Sequence, residues 1–165
     1  MISRDQTAKN PIASSPVTTL SFHPSSNIIA VGTADFSVKL VTSSLRKSKD
    51  WMIIESKVED DTYKGPFSGI DSLFEVIFSI ENVGGWINHI SFENNGTSLL
   101  ILPHHNHIKV IDLADSSQVA VGEEDIRWKS LPFMSGYINQ NKDLILGGFD
   151  KKVARFVKRG SNKYI

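Results

Sequence analysis

The sequence predicts an all-β protein built from repeated small sheets, and three observations lead to this prediction. Residues 17–41 contain three short apolar runs separated by two clusters of turn-forming residues, which is typical of consecutive antiparallel strands. The middle run, residues 28–31, is apolar at every position, as in a strand covered on both faces. Such a strand needs another sheet on each side, so the unit is expected to recur.

The unit recurs twice along the chain. Phe22 aligns with Phe92 across 70 residues, and Phe92 aligns with Tyr137 across a further 45. The apolar runs that follow these aromatic residues align without a gap (29–31, 99–101 and 144–146). A step of 45 fits a four-stranded β-propeller blade of about 40–45 residues. The step of 70 is then one blade plus an insertion of 25 residues.

The first unit is predicted to cover residues 17–80, with the insertion at 42–75. Its first three strands are the runs described above, and Phe74–Ile80 is expected to be its outer fourth strand. Residues 51–54 within the insertion fit either an extra strand or a short helix, because periodicity over so few residues does not separate the two.

The second unit is predicted at residues 86–122 and the third at residues 131–165. Four strands are expected in the second unit (86–92, 98–102, 108–113 and 119–121). The acidic residues Glu123–Asp125 after them are expected to form a solvated link. The third unit ends before a convincing fourth strand, so residues 1–165 are predicted to form about three blades of a propeller.

A propeller of three blades has an open end on each side. Propellers close with about four to eight blades, and closure covers both faces of every blade. The two end blades are therefore expected to expose apolar surface. We expect that the sequence is part of a longer chain or that partners cover its end blades, and that it is poorly soluble when expressed alone.

The composition excludes several classes of function. Eighteen Lys and Arg balance eighteen Asp and Glu, so no overall field favours nucleic acid or an anionic membrane. The absence of cysteine excludes disulfides and thiolate chemistry, and fits a reducing compartment. No apolar run is long enough for a transmembrane helix, and the N-terminal residues do not resemble a signal peptide.

No catalytic, cofactor or metal site is predicted. The nucleophile, phosphate-loop and dinucleotide motifs are absent. His104, His105 and His107 form the one histidine cluster, but neighbouring side chains of a strand point to opposite faces. No nearby carboxylate or cysteine completes a four-ligand set, so an exposed turn is the expected structure.

The units resemble WD repeats. Each has an apolar first strand, a turn, an apolar second strand and then a second turn, in which Asp35 and Asp150 occupy equivalent places. The resemblance implies that these carboxylates accept hydrogen bonds from turn amides and a histidine, and so stabilise the blade. A turn aspartate that caps its own backbone is the simpler alternative. His105 takes the equivalent place in the second unit, which is expected to lack the bond.

More specifically, the chain resembles the WD-repeat subunits of the actin-related protein 2/3 complex. The matching stretches include Ser21-Phe22-His23-Pro24, Gly65-Pro66-Phe67 followed by Gly85-Trp86-Ile87, and Leu144–Asp150. The resemblance implies a seven-bladed ring and a non-catalytic scaffold in cytoplasmic actin assembly. Its partners would be the other subunits, actin filaments and nucleation-promoting factors.

Five residues are candidate partner contacts (Trp51, Trp128, Lys151, Lys152 and Arg155). The two tryptophans lie in connections, and Trp beside polar loops is typical of interface anchors. The basic residues alternate with apolar ones at strand spacing, which suits actin or an acidic partner segment. A solvated edge is the alternative. Trp86 opens a strand, so a place in the core or at the channel rim is expected.

Two other functions remain open at this stage. A WD-repeat adaptor of another assembly would share the generic blade residues. A propeller enzyme with a site at the central channel would need clustered carboxylates or histidines, which the sequence does not provide.

Overall fold

The computed structural model describes residues 12–43, 74, 76–113, 122–159 and 163–164. All regular structure in these residues is strand, and they contain no helix that is long and apolar enough to span a bilayer. The strands are Val17–Phe22 (β1), Ile28–Thr33 (β2), Val38–Thr42 (β3), Val76–Ile80 (β4), Ile87–Phe92 (β5), Ser98–Pro103 (β6), His107–Asp112 (β7), Gly122–Arg127 (β8), Phe133–Ile138 (β9), Leu144–Gly148 (β10), Val153–Phe156 (β11), Lys158–Arg159 (β12) and Lys163–Tyr164 (β13).

The strands form successive antiparallel sheets in chain order. The first sheet has the order β1-β2-β3-β4 and the second β5-β6-β7-β8. The third contains β9, β10 and β11, and β12 pairs with β13 in a separate hairpin. Strand β4 pairs with β3 across the insertion, so the outer strand predicted at the end of the first unit is present.

The sheets stack face to face, with strands β1, β5 and β9 next to each other. One apolar core fills the space between the first and second sheets, and another fills the space between the second and third. Side chains of β6 alternate between the two cores: Leu99 and Ile101 enter the first, whereas Leu100 and Leu102 enter the second. The apolar run along this strand is therefore explained, because a neighbouring sheet covers each of its faces.

The predicted alignment of Phe92 with Tyr137 is wrong by one residue. Phe92 pairs with Leu99 in the second sheet, whereas Ile138 pairs with Leu144 at the same place in the third. The first turn of the third sheet is one residue shorter. Because side chains alternate along a strand, this shift exchanges the faces. Ile138 is accordingly buried in the core, and Tyr137 is 53% exposed.

The prediction that Glu123–Asp125 form a solvated link is also wrong. These residues belong to β8, which pairs with β7 from His107–Arg127 to Asp112–Gly122. The predicted strand at 119–121 and most of the insertion, including Trp51, lie outside the described residues. Strand β8 is the outermost strand of its sheet, where charged residues are compatible with pairing.

Candidate protein-interaction surface

One end of the stack gathers two kinds of connection. One kind is the turn between the second and third strands of each sheet, and the other is the link that leads into each first strand. The two kinds lie at the same end because consecutive strands are antiparallel. A backbone N–H of each turn donates to the carbonyl oxygen before the first strand (Ala34 to Pro16, His104 to Trp86, Phe149 to Pro132). We call this end of the stack the turn edge.

Each first strand carries one extra residue close to the turn edge. The register shifts at the same place in all three sheets, and the extra residues are Thr18, Asn88 and Met134. A bulge of this kind redirects side chains and is common beside functional sites. In the second sheet, the redirected side chain is an amide that can both donate and accept hydrogen bonds.

Asn88 holds two rings in place at the turn edge. Its Oδ1 accepts hydrogen bonds from Nε1 of Trp86 at 3.1 Å and from Nδ1 of His104 at 3.2 Å. Its Nδ2 donates to the carbonyl oxygen of Phe133 in the third sheet at 3.0 Å. The amide therefore orients both rings and also joins the second sheet to the third.

The rings of Trp86, His104 and Phe149 form a continuous surface, which we call the aromatic patch. The centroids of Trp86 and His104 are 4.5 Å apart, and Phe149 meets His104 edge-on at 5.7 Å. Trp86 is 48% exposed and Phe149 is 49% exposed. Large aromatic side chains that stay exposed and are fixed by hydrogen bonds have the properties of interface anchors.

Three exposed lysines belong to the connections that meet at the turn edge. Lys129, Lys151 and Lys152 are exposed in the link and the turn that carry Leu131 and Phe149. The one carboxylate of this turn, Asp150, accepts the backbone N–H of Lys152 at 3.2 Å. The patch and these lysines can therefore receive a segment that combines apolar and acidic side chains.

Arg155 is not available at the turn edge as a free cation. Its guanidinium donates from Nε and Nη2 to Oδ2 of Asp143, at 3.0 and 2.6 Å. This hydrogen-bonded pair, at the opposite end of β10, lowers the pKa of Asp143. The structure thus separates Arg155 from Lys151 and Lys152, with which it was grouped in the prediction.

Asp35 lies at the centre of a hydroxyl network in the turn after β2. Its carboxylate accepts hydrogen bonds from the hydroxyls of Thr33, Ser37 and Ser14, and its N–H donates to Ser15 Oγ at 2.9 Å. The bond from Thr33 is the main cause that holds the pKa of Asp35 well below its ordinary range. The partners are hydroxyls, not the histidine that the resemblance implies.

Asp150 occupies the equivalent turn but has no such network. The positions of Thr33 and Ser37 are taken by Gly148 and Lys152 in the third sheet. Without hydroxyls at these positions, Asp150 acts only as a local cap of the turn. The two aspartates that look equivalent in sequence are therefore different in their surroundings.

Trp128, which was predicted to be a partner contact, is only partly exposed. Its ring packs on Phe133 and Phe156, with centroids 5.4 and 5.3 Å away, against the second core. The backbone N–H of Trp128 donates to the carbonyl oxygen of Asn106, which draws this link against the second sheet. The other predicted tryptophan contact, Trp51, lies outside the described residues.

His104 lies apart from His105 and His107, so the three histidines do not form one cluster. His104 belongs to the aromatic patch, whereas His105 meets His107 edge-on at 4.9 Å. Nδ1 of His107 lies 3.1 Å from Asp125, a carboxylate that the prediction did not place nearby. The described part of the chain contains no group of three or more His, Cys, Asp or Glu side chains arranged to hold a metal ion.

Trp86 is not buried in the core, which was one of the two places expected for it. A Trp that opens an apolar strand is expected to be buried or at the channel rim. The carbonyl oxygen of Trp86 accepts a hydrogen bond from the turn, as the carbonyl oxygens of Pro16 and Pro132 do before the other two first strands. A comparison of the three link residues would therefore have placed Trp86 at the turn edge.

Comparisons with known proteins agree with this fold. No model of a known protein family matches the sequence. The chain is 25% identical over 148 residues to actin-related protein 2/3 complex subunits 1A-B and 1A-A of Xenopus laevis, covering 86% of this chain and 35% of each relative. The chain thus spans about a third of the length of these curated relatives.

Two solved structures resemble the chain in fold. The Cps50 (Swd1) β-propeller domain of Myceliophteria thermophila superposes with a TM-score of 0.63 at 14% identity, covering 96% of this chain and 40% of that one. Sqt1 of Saccharomyces cerevisiae superposes with a TM-score of 0.62 at 12% identity, covering 90% and 33%. The protein is therefore an all-β chain with the fold of a partial WD40-type β-propeller.

Proposed function

We propose that the chain is a non-catalytic scaffold that binds other proteins, and that its assembly is the actin-related protein 2/3 complex. The aromatic patch is the observation that carries the binding role. Trp86 and Phe149 are exposed, Asn88 holds Trp86 and His104, and three exposed lysines lie in the connections of the turn edge. The similarity to subunits 1A-A and 1A-B supports the choice of this complex.

The mechanism proposed is geometric. Stacked sheets with apolar cores hold the turn edge rigid, so that little conformational entropy is lost when a partner binds. The aromatic patch supplies apolar contact area, and Lys129, Lys151 and Lys152 attract acidic side chains. Other subunits, actin filaments and the acidic segments of nucleation-promoting factors are the proposed partners, in the cytoplasmic actin cytoskeleton. Each sheet is proposed to be one blade, with the second extended to Arg127.

The test is recovery of partners by the tagged full chain from cell extract. We expect actin-related proteins to be retained by the wild-type chain and lost with Trp86→Ala or Phe149→Ala. Phe36→Ala is the matched control, because Phe36 is 44% exposed at the turn edge of the first sheet, outside the patch. Equal recovery with all three variants would contradict a role for the patch.

An adaptor of a different assembly is the second candidate. The patch and the lysines beside it are compatible with any segment that combines acidic and apolar side chains. Recovery of a different stable complex that depends on Trp86 would favour this function. Such a result would retain the binding role and reject the proposed actin-related partners.

A further inference from the structure

At the end of the stack opposite the turn edge, the turns after β5 and β9 contain equivalent residues with a left-handed backbone. Counted from the end of the strand, Gly96 (φ 76°) and Lys142 (φ 64°) occupy the same place. Each backbone N–H donates to the carbonyl oxygen three residues earlier, at 2.8 and 2.9 Å. Asn95 and Asn141, which precede them, are both exposed. The two asparagines therefore have equivalent positions but different residues after them.

An asparagine that is followed by glycine can lose its side-chain amide without an enzyme. The backbone nitrogen of the next residue attacks Cγ of the asparagine, and a side chain on that residue obstructs the approach. Gly96 has no Cβ, so its nitrogen can approach closely, whereas Lys142 carries a long side chain at the equivalent place. Asn95 and Gly96 form the one Asn-Gly pair of the sequence.

The side-chain amide of Asn95 is polarised by its surroundings. Its Oδ1 accepts the backbone N–H of Thr97 at 3.0 Å, and the hydroxyl oxygen of Thr97 lies 2.9 Å from the same atom. Donors at Oδ1 draw electron density away from Cγ, which makes this carbon a better electrophile. Because Asn95 is exposed, water also reaches the amide.

Contacts from both neighbouring sheets hold the attacking nitrogen in place. The ring of His23 in the first sheet lies against Gly96, and a Cβ added to Gly96 would collide with it. In the third sheet, Lys142 binds the carboxylate of Glu93 and reaches Thr97 Oγ1 at 3.1 Å. These contacts keep the N–H of Gly96 bonded to the carbonyl oxygen of Glu93. The nitrogen can attack only when that bond opens.

We propose that Asn95 is a deamidation site and that the contacts from the two neighbouring sheets control its rate. The nitrogen of Gly96 loses its proton and forms a bond to Cγ of Asn95. The bond from Cγ to Nδ2 breaks, and ammonia leaves with that proton. Water then opens the resulting five-membered imide at one of its two carbonyl carbons, which gives aspartate or isoaspartate. The reaction consumes one water and needs no oxidant or reductant.

The product changes the contact between the second and third sheets. Either product places a carboxylate beside the hydroxyl of Thr97, which already lies 3.0 Å from Glu93 Oε2. A second carboxylate there competes for the ammonium of Lys142. Isoaspartate also lengthens the backbone by one methylene group, inside a turn whose ends are fixed by β5 and β6. The aromatic patch is at the other end of the stack, so failure of the proposed partner binding would leave this proposal unchanged.

The first experiment follows deamidation of the full chain in mildly alkaline buffer, with and without guanidinium chloride. Peptide mapping by mass spectrometry gives the rate at each asparagine and separates aspartate from isoaspartate. In the unfolded chain, Asn95 should react at least about tenfold faster than Asn141, because only Asn95 precedes a glycine. In the folded chain, Asn95 should react more slowly than in denaturant. Equal rates at the two asparagines, or equal rates at Asn95 in the two conditions, would overturn the proposal.

The second experiment removes one of the contacts from the folded chain. Lys142→Met should raise the rate at Asn95 at least about threefold, because the turn opens more often. Gly32→Ala is the matched control, since its new Cβ would lie 2.7 Å from Ile87 Cγ2 and disturb the packing at the other end of the stack. It should leave the rate unchanged. No increase with Lys142→Met, or an equal increase with Gly32→Ala, would show that these contacts do not control the reaction.

Circular dichroism must show that each variant is folded. His23→Ala replaces Lys142→Met if the latter does not fold, because it removes the contact from the other neighbouring sheet. The same increase in rate is expected, and its absence would overturn the proposal.

Discussion

Nε2 of His23 lies 3.2 Å from the carbonyl oxygen of Gly96, so the first turn of the first sheet is tied to that of the second. Nδ1 of the same ring accepts the backbone N–H of Ser25 at 3.2 Å. The neutral ring with its proton on Nε2 satisfies both contacts. Burial lowers the pKa of His23 below its ordinary value of 6.5, and the bond to Gly96 offsets this in part.

Stability is expected to depend on pH through His23. Because its pKa is lower in the folded state, the unfolded chain binds more protons, and stability rises with pH. The contribution is complete above about pH 6.5 and is lost as pH falls below that value. His23→Gln should remove this loss. In thermal melts, the variant should therefore have about the same melting temperature at pH 7.5 and at pH 5.5. His105→Gln, at an exposed ring, should keep the wild-type dependence.

Lys142→Met is expected to destabilise the chain by about 1–3 kcal/mol. The ammonium of Lys142 binds the carboxylate of Glu93, whose side chain is 4% exposed, and also reaches Thr97 Oγ1 at 3.1 Å. Its removal leaves a buried charge without its cation. Lys151→Met is the matched control, because both lysines have positive φ (64° and 60°) and Lys151 is exposed. Urea denaturation measures both, and a similar loss in the two variants would contradict the role of the ion pair.

Gly32→Ala is expected to cost about 1–3 kcal/mol because the first two sheets approach closely. The new Cβ would collide with Ile87 and with Cγ2 of Thr19, both at 2.7 Å. Gly147→Ala at the equivalent place should be tolerated, because the new Cβ would only contact Ser135 Oγ, at an ordinary distance of 3.7 Å. Denaturation curves of both variants give the comparison, and equal costs would show that close packing between sheets is not the cause.

Asp35→Asn is expected to reduce stability at neutral pH more than Asp150→Asn. The carboxylate of Asp35 accepts three hydroxyl hydrogen bonds, which favour its charged form and lower its pKa. This contribution is present above the ordinary pKa of 3.8 and is lost as pH falls below it. The difference between wild type and Asp35→Asn in melting temperature should therefore shrink in acid. A difference that stays constant would exclude the charged carboxylate as its source.

Strands could be predicted from the sequence where burial determines the pattern of apolar residues. Strands β2 and β6 are covered on both faces, so their apolar runs were recognised and aligned without a gap. The outer strand β8 could not be recognised, because its Glu123–Asp125 segment has the composition of a solvated link. The register of β9 was missed for a different reason. A turn shorter by one residue exchanged Tyr137 and Ile138, and apolar character alone does not distinguish them.

The candidate surface was predicted only in part. Lys151 and Lys152 are exposed at the turn edge and stay candidate contacts, whereas Trp128 packs against the second core and Arg155 is paired with Asp143. Pairing across sheets depends on contacts between residues that are far apart in the chain, and a single sequence does not show them. The hydrogen bond from Asn88 to Phe133, which joins two sheets, is an example.

The extra residue at the start of each first strand gives these repeats an unusual freedom to evolve. Thr18, Asn88 and Met134 stand at the same point of three similar sheets, yet their side chains have unrelated chemistry. Because the extra residue lies outside the regular pairing of the strands, a mutation there alters the side chain presented to a partner at the turn edge. The apolar cores between the sheets are not disturbed. Duplicated units can in this way acquire distinct specificities while the architecture that carries them is inherited unchanged.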